Sequence, residues 1–291
     1  MLYTLLRFLM RITVSIFFRS ITIRNKGAFP EKGPLLVLAN HPSTFMDPIV
    51  IATLLQRKVF FLAKGELFKS AFAKWLLPKF NMIPVYRKQD DPTQMNKNQD
   101  TFNKCFEHLE SGGVILMFPE GISITERKLR PIKTGAARIA IGAEARNDFK
   151  LGVKVVNVGL NYADPHHFNR DLFINIHEAI EVKDYKEEYA KDNFKASEIL
   201  TEDIRTQLET LVIAIEDEQM DELVKDIEVL YTYKISKEND ELNNKAGEFA
   251  ITKNIIETVQ YYMKHDKERV ERIRSRIKNY FTDLGIAGLH D

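Results

Sequence analysis

The side chains best suited to chemistry are His41 and Asp47, which lie in a polar stretch over residues 40–48, directly after the apolar run 35–39. An imidazole titrates near neutral pH and acts as a general base when a neighbouring carboxylate orients it. On one continuous helix these two residues would lie about 240° apart, so the helix must be broken for them to meet. We therefore predict a general base and its orienting acid at this turn.

Two prolines control the backbone of this stretch. Pro42 and Pro48 each disfavour helical backbone at the residue before them, which places His41 and Asp47 on non-helical backbone ahead of a helix over 48–56. Asp47 has a second interpretation as the N-cap of that helix, with Pro48 at its first position. A carboxylate has enough lone pairs for both roles, so the local sequence leaves both open.

The elements that must position this pair alternate between apolar strands and helices. The pattern predicts strands over 35–39, 59–63, 81–87, 114–118, 153–160 and 172–180. Such alternation indicates βαβ units, so the predicted fold class is α/β, with a mixed, mostly parallel central sheet flanked by helices. His41 follows the first of these strands, and open α/β sheets hold ligands at the carboxyl ends of their strands.

Two other strand ends carry candidate binding residues. Arg87 ends the strand over 81–87, where a guanidinium can bind a phosphate through two hydrogen bonds. Glu120 and Gly121 follow the strand over 114–118, and a glycine there leaves a backbone amide bare for a ligand. Each signal is weak alone, because a lone arginine is usually surface charge and Glu-Gly also makes an ordinary turn.

Composition and spacing argue against several other functions. The balance of 42 Lys and Arg against 41 Asp and Glu gives no basic field, so nucleic acid is not an expected partner. The single cysteine, Cys105, excludes an internal disulfide and a CxxC zinc site. His166 and His167 have no second ligand pair nearby, so they are predicted to be loop residues rather than metal ligands. Ser123 lacks the second glycine of a nucleophile elbow.

Composition also divides the chain into three parts. Residues 1–20 are apolar except for a polar stripe that includes Arg7 and Arg11, which predicts an amphipathic helix in a membrane interface. The alternative is a helix packed on the protein's own core. Residues 21–180 are predicted to form the α/β domain. Residues 181–291, of which 43 are charged and none is proline, are predicted to form a charged helical region, either solvated or flanking the acyl side of the site or an oligomer interface.

Four segments carry a resemblance to a known family through their order and spacing. They are His41 with Asp47, residues 83–87, residues 118–121 and residues 155–160. In order and spacing they resemble the four blocks of the glycerol-3-phosphate and lysophosphatidic acid acyltransferase family, over roughly residues 20–180. The five residues between His41 and Asp47, with residues 129–137, are more similar to the branch that includes fungal glycerol-3-phosphate/dihydroxyacetone-phosphate acyltransferases.

The chain departs from the family pattern at three places. The first block has five residues between His and Asp where four are usual. The third block has Ile122-Ser123-Ile124 where Thr-Arg-Ser is usual, and the fourth has Asn157 where proline is usual. Lys64 or Lys133 is the candidate to supply the positive charge that the third block lacks.

The resemblance implies a reaction and a set of roles. His41 would take the proton from an acceptor hydroxyl, and Asp47 would orient the imidazole and stabilise its charged form. Arg87, Glu120 and Gly121 would hold the phosphate and glycerol end of the acceptor, which is glycerol 3-phosphate or 1-acylglycerol 3-phosphate. The donor would be acyl-CoA or acyl carrier protein, and no cofactor or metal is expected.

The implied setting is phospholipid biosynthesis at the cytoplasmic face of a membrane, with the oligomeric state left open. Two alternatives stand beside it. The altered third block leaves a lyso-aminolipid acceptor open for the same chemistry. A non-catalytic lipid-binding scaffold on the same fold is the other alternative, and the intact His41 and Asp47 argue against it.

Overall fold

The computed structural model describes residues 2–87, 96, 98–213, 215, 218–238 and 246–288 of the 291-residue chain. These residues are divided between two compact units, Met1–Val212 and Ile213–Asp291. The strands of unit 1 are β1 (Phe18–Arg24), β2 (Leu35–Ala39), β3 (Val59–Lys64), β4 (Met82–Val85), β5 (Val114–Met117), β6 (Lys154–Tyr162), β7 (Arg170–Ile176) and β8 (Ile180–Glu181).

The helices of unit 1 separate most of these strands along the chain. They are α1 (Leu2–Phe17), α2 (Met46–Leu54), α3 (Ala71–Leu76), α4 (Asn98–Glu110), α5 (Gly135–Ala145), α6 (Lys186–Lys191) and α7 (Asn193–Leu211). Unit 2 consists of α8 (Glu218–Glu238), α9 (Ala246–His265) and α10 (Lys267–Ile286).

The strands form one sheet in the order β1-β7-β6-β2-β5-β3-β4, and β8 pairs with the start of β6. Strand pairs are parallel except for β6 with β7 and β6 with β8. The predicted α/β fold with a mixed, mostly parallel sheet is therefore confirmed. In this order β2 lies between β5 and β6, so the turn after β2 is central to the sheet edge.

The apolar run of β2 reflects burial on both of its faces. Leu36 and Leu38 join an apolar cluster on one face of the sheet, whereas Leu35, Val37 and Ala39 join a cluster on the other. The sequence of a parallel strand covered on both faces is continuously apolar and does not alternate between apolar and polar residues. This double burial fixes the position of the strand end that precedes His41.

β1 is an element that the sequence pattern does not predict. The predicted helix over the first 20 residues ends instead at Phe17, and β1 follows at once and pairs in parallel with β7. The β-branched run Ile21-Thr22-Ile23 is the local signal for this strand. A strand at the sheet edge anchors α1 directly to the body of unit 1.

Helix α7 packs on the sheet in unit 1, although the charge composition of residues 181–291 groups it with the helices that follow. A Cβ on Gly159 would lie 2.4 Å from the carbonyl oxygen of Leu211, so only glycine allows this close approach of β6 and the end of α7. The Leu211 carbonyl also accepts hydrogen bonds from Asn161 Nδ2 and Asn175 Nδ2, each at 3.0 Å. The first unit thus extends to Val212, beyond the predicted boundary at 180/181.

Helix α1 exposes much of its apolar surface. Phe8 is 60% exposed, and Leu5, Leu9, Ile12 and Ile16 are exposed with it. Arg7 Nη1 instead donates to the Gln56 carbonyl at 2.8 Å. The apolar stripe is therefore not covered by the core of unit 1. None of the helices in the described ranges is long and apolar enough to cross a membrane.

Unit 2 has an apolar core of its own. Its three helices contribute residues at helical spacing, as the repeating apolar positions of this part of the sequence predict. The buried members of this core are Ile215, Met220, Leu223, Val224, Ile256, Val259, Val270 and Ile277.

Candidate active site

The site begins where β2 ends. Asn40, which is buried, donates from Nδ2 to the Leu160 carbonyl at 2.9 Å and accepts from the Leu160 amide at 2.7 Å. Its side chain thus continues the pairing between β2 and β6 beyond the last strand residue. The chain turns away from the sheet immediately after this point, and His41 enters the turn from a fixed position.

His41 and Asp47 are in direct contact. His41 Nδ1 lies 2.7 Å from Asp47 Oδ2, and the side chains are 17% and 0% exposed, respectively. The imidazole stacks on Phe118, with the ring centroids 3.8 Å apart and the planes 7° apart. Since the carboxylate accepts at Nδ1, Nε2 is the ring nitrogen that can take a proton from a ligand in the adjoining cavity.

Asp47 lies within α2 rather than ahead of it. The helix begins at Met46 with Phe45 at the N-cap, so both the predicted non-helical backbone at Asp47 and its predicted capping position are wrong. The carboxylate reaches back and accepts from the Ser43 amide at 2.8 Å. A negative charge in the first turn of a helix is favourable, and here it outweighs the bias that Pro48 imposes on the preceding residue.

Tyr162 is a third partner of Asp47 that sequence reasoning does not find. Its hydroxyl donates to Asp47 Oδ1 at 2.6 Å from the end of β6. Burial, and then the negative charge of Asp47, raise the pKa of Tyr162 well above its usual value, so the hydroxyl stays protonated and remains a donor. Asp47 therefore accepts from His41, Ser43 and Tyr162 at once, which holds its carboxylate in one orientation.

Thr44, one of the five residues between His41 and Asp47, has a φ of 38°, in the left-handed region. Ser123 Oγ accepts from the Thr44 amide at 3.0 Å and donates to the His41 carbonyl at 2.9 Å. The Ile124 amide also donates to the His41 carbonyl, at 3.2 Å. The segment after Gly121 thus supports the turn, and the five-residue spacing still lets the imidazole and carboxylate meet.

Glu120 does not have the surroundings of a ligand contact. It is 6% exposed, and its two carboxylate oxygens accept from the backbone amides of His41 at 3.1 Å and Arg130 at 3.0 Å. Burial raises the pKa of Glu120, and the two amides act in the opposite direction. In this geometry Glu120 fixes the backbone of His41, in contrast to the predicted contact with the acceptor.

The predicted cations reach the same cavity wall. Arg87 Nη1 donates to the carbonyl of Gly121, whose φ is 70°. The Gly121 amide donates to the Phe118 carbonyl at 3.0 Å, so the prediction that this amide is bare for a ligand is wrong. A Cβ on Gly121 would lie 2.7 Å from Lys133 Nζ, so the ammonium group lies directly over this glycine. Lys64 also lines the cavity, where it forms an ion pair with Glu66. The two cations at Gly121 form the positive group nearest to the third block.

Arg138 is a further cavity cation that the sequence analysis does not single out as a site residue. It lies in the first turns of α5, and its guanidinium carbon is 5.1 Å from the ring centroid of Phe102. The sequence feature that could indicate Arg138 is its position in the small-residue helix that directly follows Lys133.

The cavity in front of His41 has a volume of about 1250 Å³. Its polar residues include His41 and the four cations just described. The apolar wall comes from α1, α2 and β3 and includes Leu6, Met10, Ile49, Ala52, Phe61 and Leu62. Such a volume exceeds that of most small-molecule sites and leaves room for a long apolar chain beside an anionic group.

The remaining candidates do not join this site. Burial raises the pKa of Cys105 to about 12, so its thiol is not a nucleophile. His167 Nδ1 contacts Asp164 Oδ2 at 2.7 Å on the surface. In the part of the chain that the structure describes, no group of three His, Cys, Asp or Glu side chains could hold a metal ion.

Comparisons with known proteins show similarity to acyltransferases. Residues 20–161 match the family model described as Acyltransferase. Glycerol-3-phosphate O-acyltransferase 1 of Saccharomyces cerevisiae is 24% identical over 81% of this chain and 42% of the relative. A chloroplastic 1-acyl-sn-glycerol-3-phosphate acyltransferase of Brassica napus is 28% identical over 44% of this chain and 33% of the relative. The predicted resemblance to these acyltransferases is thus confirmed.

The chain spans less than half of the length of these curated relatives. Among solved structures, the 1-acyl-sn-glycerophosphate (LPA) acyltransferase PlsC from Thermotoga maritima matches with a TM-score of 0.47 and 21% identity. That match covers 69% of this chain and 75% of PlsC.

Proposed function

Because residues 20–161 form a domain of the acyltransferase family, we propose that this chain moves a fatty acyl group from a thioester to a hydroxyl of a glycerophosphate-type acceptor. The observation that carries the proposal is the His41–Asp47 pair, at 2.7 Å, at the wall of a cavity that also contains Arg87 and Lys133. A base, an anion site and an apolar space are what this reaction requires.

The chemistry follows from the orientation of the imidazole. Nε2 of His41 accepts the proton of the acceptor hydroxyl as its oxygen attacks the thioester carbonyl. Asp47 stabilises the imidazolium ion that forms, and the imidazolium then gives its proton to the departing thiolate. The carbon–sulfur bond breaks and an ester bond forms, so the products are a free thiol and an acceptor that carries one more acyl group, a mono- or diacylglycerol phosphate. A positioned base of this kind is worth about 10²- to 10⁴-fold in rate.

The roles of the other site residues divide into two groups. Arg87 and Lys133 hold the acceptor phosphate where they meet at Gly121, with Lys64 nearby. A guanidinium and an ammonium group that meet at one glycine can bind a phosphate from two sides. Glu120, Ser123 and Tyr162 are positioning residues, because they act on the backbone of His41, on the turn, and on Asp47.

The acceptor is glycerol 3-phosphate or 1-acylglycerol 3-phosphate, the substrates that the names of the yeast and Brassica relatives indicate. Both carry the phosphate that the cations suit. The donor is acyl-CoA or acyl carrier protein, whose acyl chain lies along the apolar wall of the cavity, and the scheme needs no cofactor. The convergence of cations at Gly121 favours these acceptors over a lyso-aminolipid, and the His41–Asp47 contact favours an enzyme over a lipid-binding scaffold.

The enzyme works at a membrane, on its cytoplasmic face. The exposed apolar stripe of α1, with Phe8 at its centre, supports a helix that lies in the bilayer interface. The same helix lines the cavity with Leu6 and Met10, so a lipid substrate can enter from the side that touches the membrane.

An acceptor panel tests this proposal. Thiol release from palmitoyl-CoA and from palmitoyl-acyl carrier protein is measured with glycerol 3-phosphate, 1-acylglycerol 3-phosphate and a lyso-aminolipid. We expect thiol release that depends on a phosphate-bearing acceptor and yields the corresponding ester. Release with the lyso-aminolipid alone would contradict the acceptor class, and no release with any pair would contradict the activity.

A further inference from the structure

The segment between β3 and β4, residues 65–80, presents aromatic side chains to solvent. Phe72 is 66% exposed and Trp75 is 60% exposed, and their ring centroids are 6.2 Å apart on one face of α3. The opposite face is partly covered and consists of Ala73, Leu76, Leu77 and Phe80. Two adjacent exposed aromatic rings on a helix that is otherwise anchored mark an interaction surface rather than scattered exposure.

The charge of this segment is positive. Residues 64–80 contain four lysines and one acidic residue, Glu66, which pairs with Lys64 and also lies 3.8 Å from Lys69. Lys79 Nζ lies 3.2 Å from the centroid of the Trp75 ring. Tryptophan beside lysine is the combination found where protein meets the headgroup layer of a bilayer, because the ring and the lysine stem are apolar while their tips stay wet.

Its two ends join the segment to the cavity. Leu67 and Phe80 both line the cavity, and Leu67 is also exposed, as are the lining residues Phe45 and Ile122. These three exposed lining residues mark the cavity mouth, and α3 begins four residues after Leu67. The α3 segment is therefore joined at both ends to residues that line the cavity.

We propose that residues 65–80, the α3 segment, dock on an anionic lipid bilayer, as a second membrane contact beside α1. The inference rests on the proposed function, since it names the surface from which that site draws its lipid. Phe72 and Trp75 enter the interface, while Lys69, Lys74 and Lys79 face anionic headgroups. A contact on two elements fixes the orientation of the cavity mouth, which one helix alone leaves free to rotate.

Trp75 is the only tryptophan in the 291-residue chain, so the native protein reports on this contact without a label. The full chain is mixed with vesicles of equimolar phosphatidylcholine and phosphatidylglycerol, and with vesicles of phosphatidylcholine alone. We expect a blue shift of the Trp75 emission with the anionic vesicles, and quenching when their acyl chains are brominated. A chain that sediments with the vesicles while its emission stays unshifted and unquenched would overturn the proposal, as would no sedimentation.

Variants distinguish vesicle binding by the α3 segment from binding by other parts of the surface. The double substitution Lys69→Glu and Lys74→Glu is expected to weaken binding to the anionic vesicles about tenfold or more. Phe72→Ser is expected to reduce the blue shift. Phe194→Ser, which removes an equally exposed ring on α7, serves as the matched control and leaves both measurements unchanged. Unaltered vesicle affinity in the double variant would overturn the charge assignment.

Activity measured without vesicles distinguishes this inference from the proposed function. Thiol release from a short-chain, soluble acyl-CoA with glycerol 3-phosphate is expected to be unchanged by Phe72→Ser and by the lysine double substitution. His41→Ala, by contrast, is expected to lose thiol release and to keep the Trp75 blue shift. A wild-type chain that shows the shift but no thiol release would leave the bilayer contact standing and contradict the activity.

Discussion

The two sides of the cavity are built differently. At the His41 side, Asp47, Glu120 and Tyr162 are buried and bind fixed partners on separate elements of the sheet edge. At the cation side, Lys64 and Lys133 are long side chains on the cavity wall, and Lys64 is partly exposed. The proposed base is thus held by buried hydrogen bonds, whereas the proposed phosphate site is formed by long cationic side chains at the cavity surface. We expect the first side to set the rate and the second to set the affinity for the acceptor.

After the loss of His41 itself, the largest effect is expected at the carboxylate of the pair. Asp47→Asn should lower kcat about 10²- to 10⁴-fold, because an amide cannot accept from His41, Ser43 and Tyr162 together, and its NH₂ group favours the wrong imidazole tautomer. Steady-state kinetics at saturating acceptor measure this fall. Asp164→Asn removes a carboxylate that contacts His167 on the surface and is the control, with kcat unchanged. Equal kcat values for Asp47→Asn and Asp164→Asn would contradict the expectation that the His41 side of the cavity sets the rate.

Arg87 tests the cation side. Arg87→Ala should raise KM for glycerol 3-phosphate roughly 10- to 100-fold, as expected for the loss of charge-assisted hydrogen bonds, and should change kcat less. The KM of Arg87→Lys should lie between those of the wild-type chain and Arg87→Ala, since an ammonium group keeps the charge but cannot bind bidentately. Arg146→Ala, which removes an arginine paired with Glu110, should leave KM as it is. A fall in kcat with constant KM would place Arg87 on the rate-setting side instead.

Tyr162 tests the buried support of Asp47. Tyr162→Phe should lower kcat roughly 3- to 10-fold, with KM nearly constant, and should reduce the free energy of unfolding by about 1–3 kcal/mol, because one oxygen of a buried carboxylate loses its donor. Kinetics and denaturant unfolding measure the two effects. Tyr185→Phe removes a tyrosine donor to Asp203 from an exposed hydrogen bond and is the control, with kcat unchanged. A change in KM alone would show that Tyr162 contacts substrate rather than positioning Asp47.

The smallest effect is expected at Lys64, whose charge is already paired with Glu66 at a partly exposed site. Lys64→Ala should raise KM for the acceptor at most about threefold, in line with the small net worth of exposed ion pairs. Lys133→Ala should raise it more, since that ammonium group lies over Gly121. The ratio of the two KM values ranks the lysines, and a larger effect at Lys64 would reverse the ranking.

The sequence predicts the strands that carry the site residues better than it predicts the hydrogen-bond partners of those residues. The bounds of β2 agree with the apolar run 35–39, because buried parallel strands have a strong local signal. The strands before Arg87 and Glu120 end at Val85 and Met117, two residues and one residue short of the predicted ends. Tyr162 lies 115 residues after Asp47, and the two meet only because β6 lies next to β2. Strand order is a non-local property that no single segment encodes.

The same cause explains the other differences. The partners of Glu120 are amides brought together by the turn and by the segment near Arg130, so its residue type alone suggests a ligand contact where the fold makes a backbone support. Helix α7 packs at Gly159, although its segment differs in composition from the strands it contacts. The charge pattern of the sequence therefore does not predict how far the first unit extends. The interface role of α1 and the roles of the site residues stay predictions that kinetics and vesicle binding can test.

The central claim is that His41 is the base for acyl transfer. Its most direct test is single-turnover thiol release from palmitoyl-CoA with glycerol 3-phosphate, for the wild-type chain and for His41→Ala. We predict a rate at least about 10²-fold lower in the variant, which still folds because the side chain lies outside the sheet. Its melting temperature should fall modestly, because Asp47 Oδ2 loses one of its two donors and keeps the Ser43 amide. A folded His41→Ala chain that releases thiol at the wild-type rate would contradict the account.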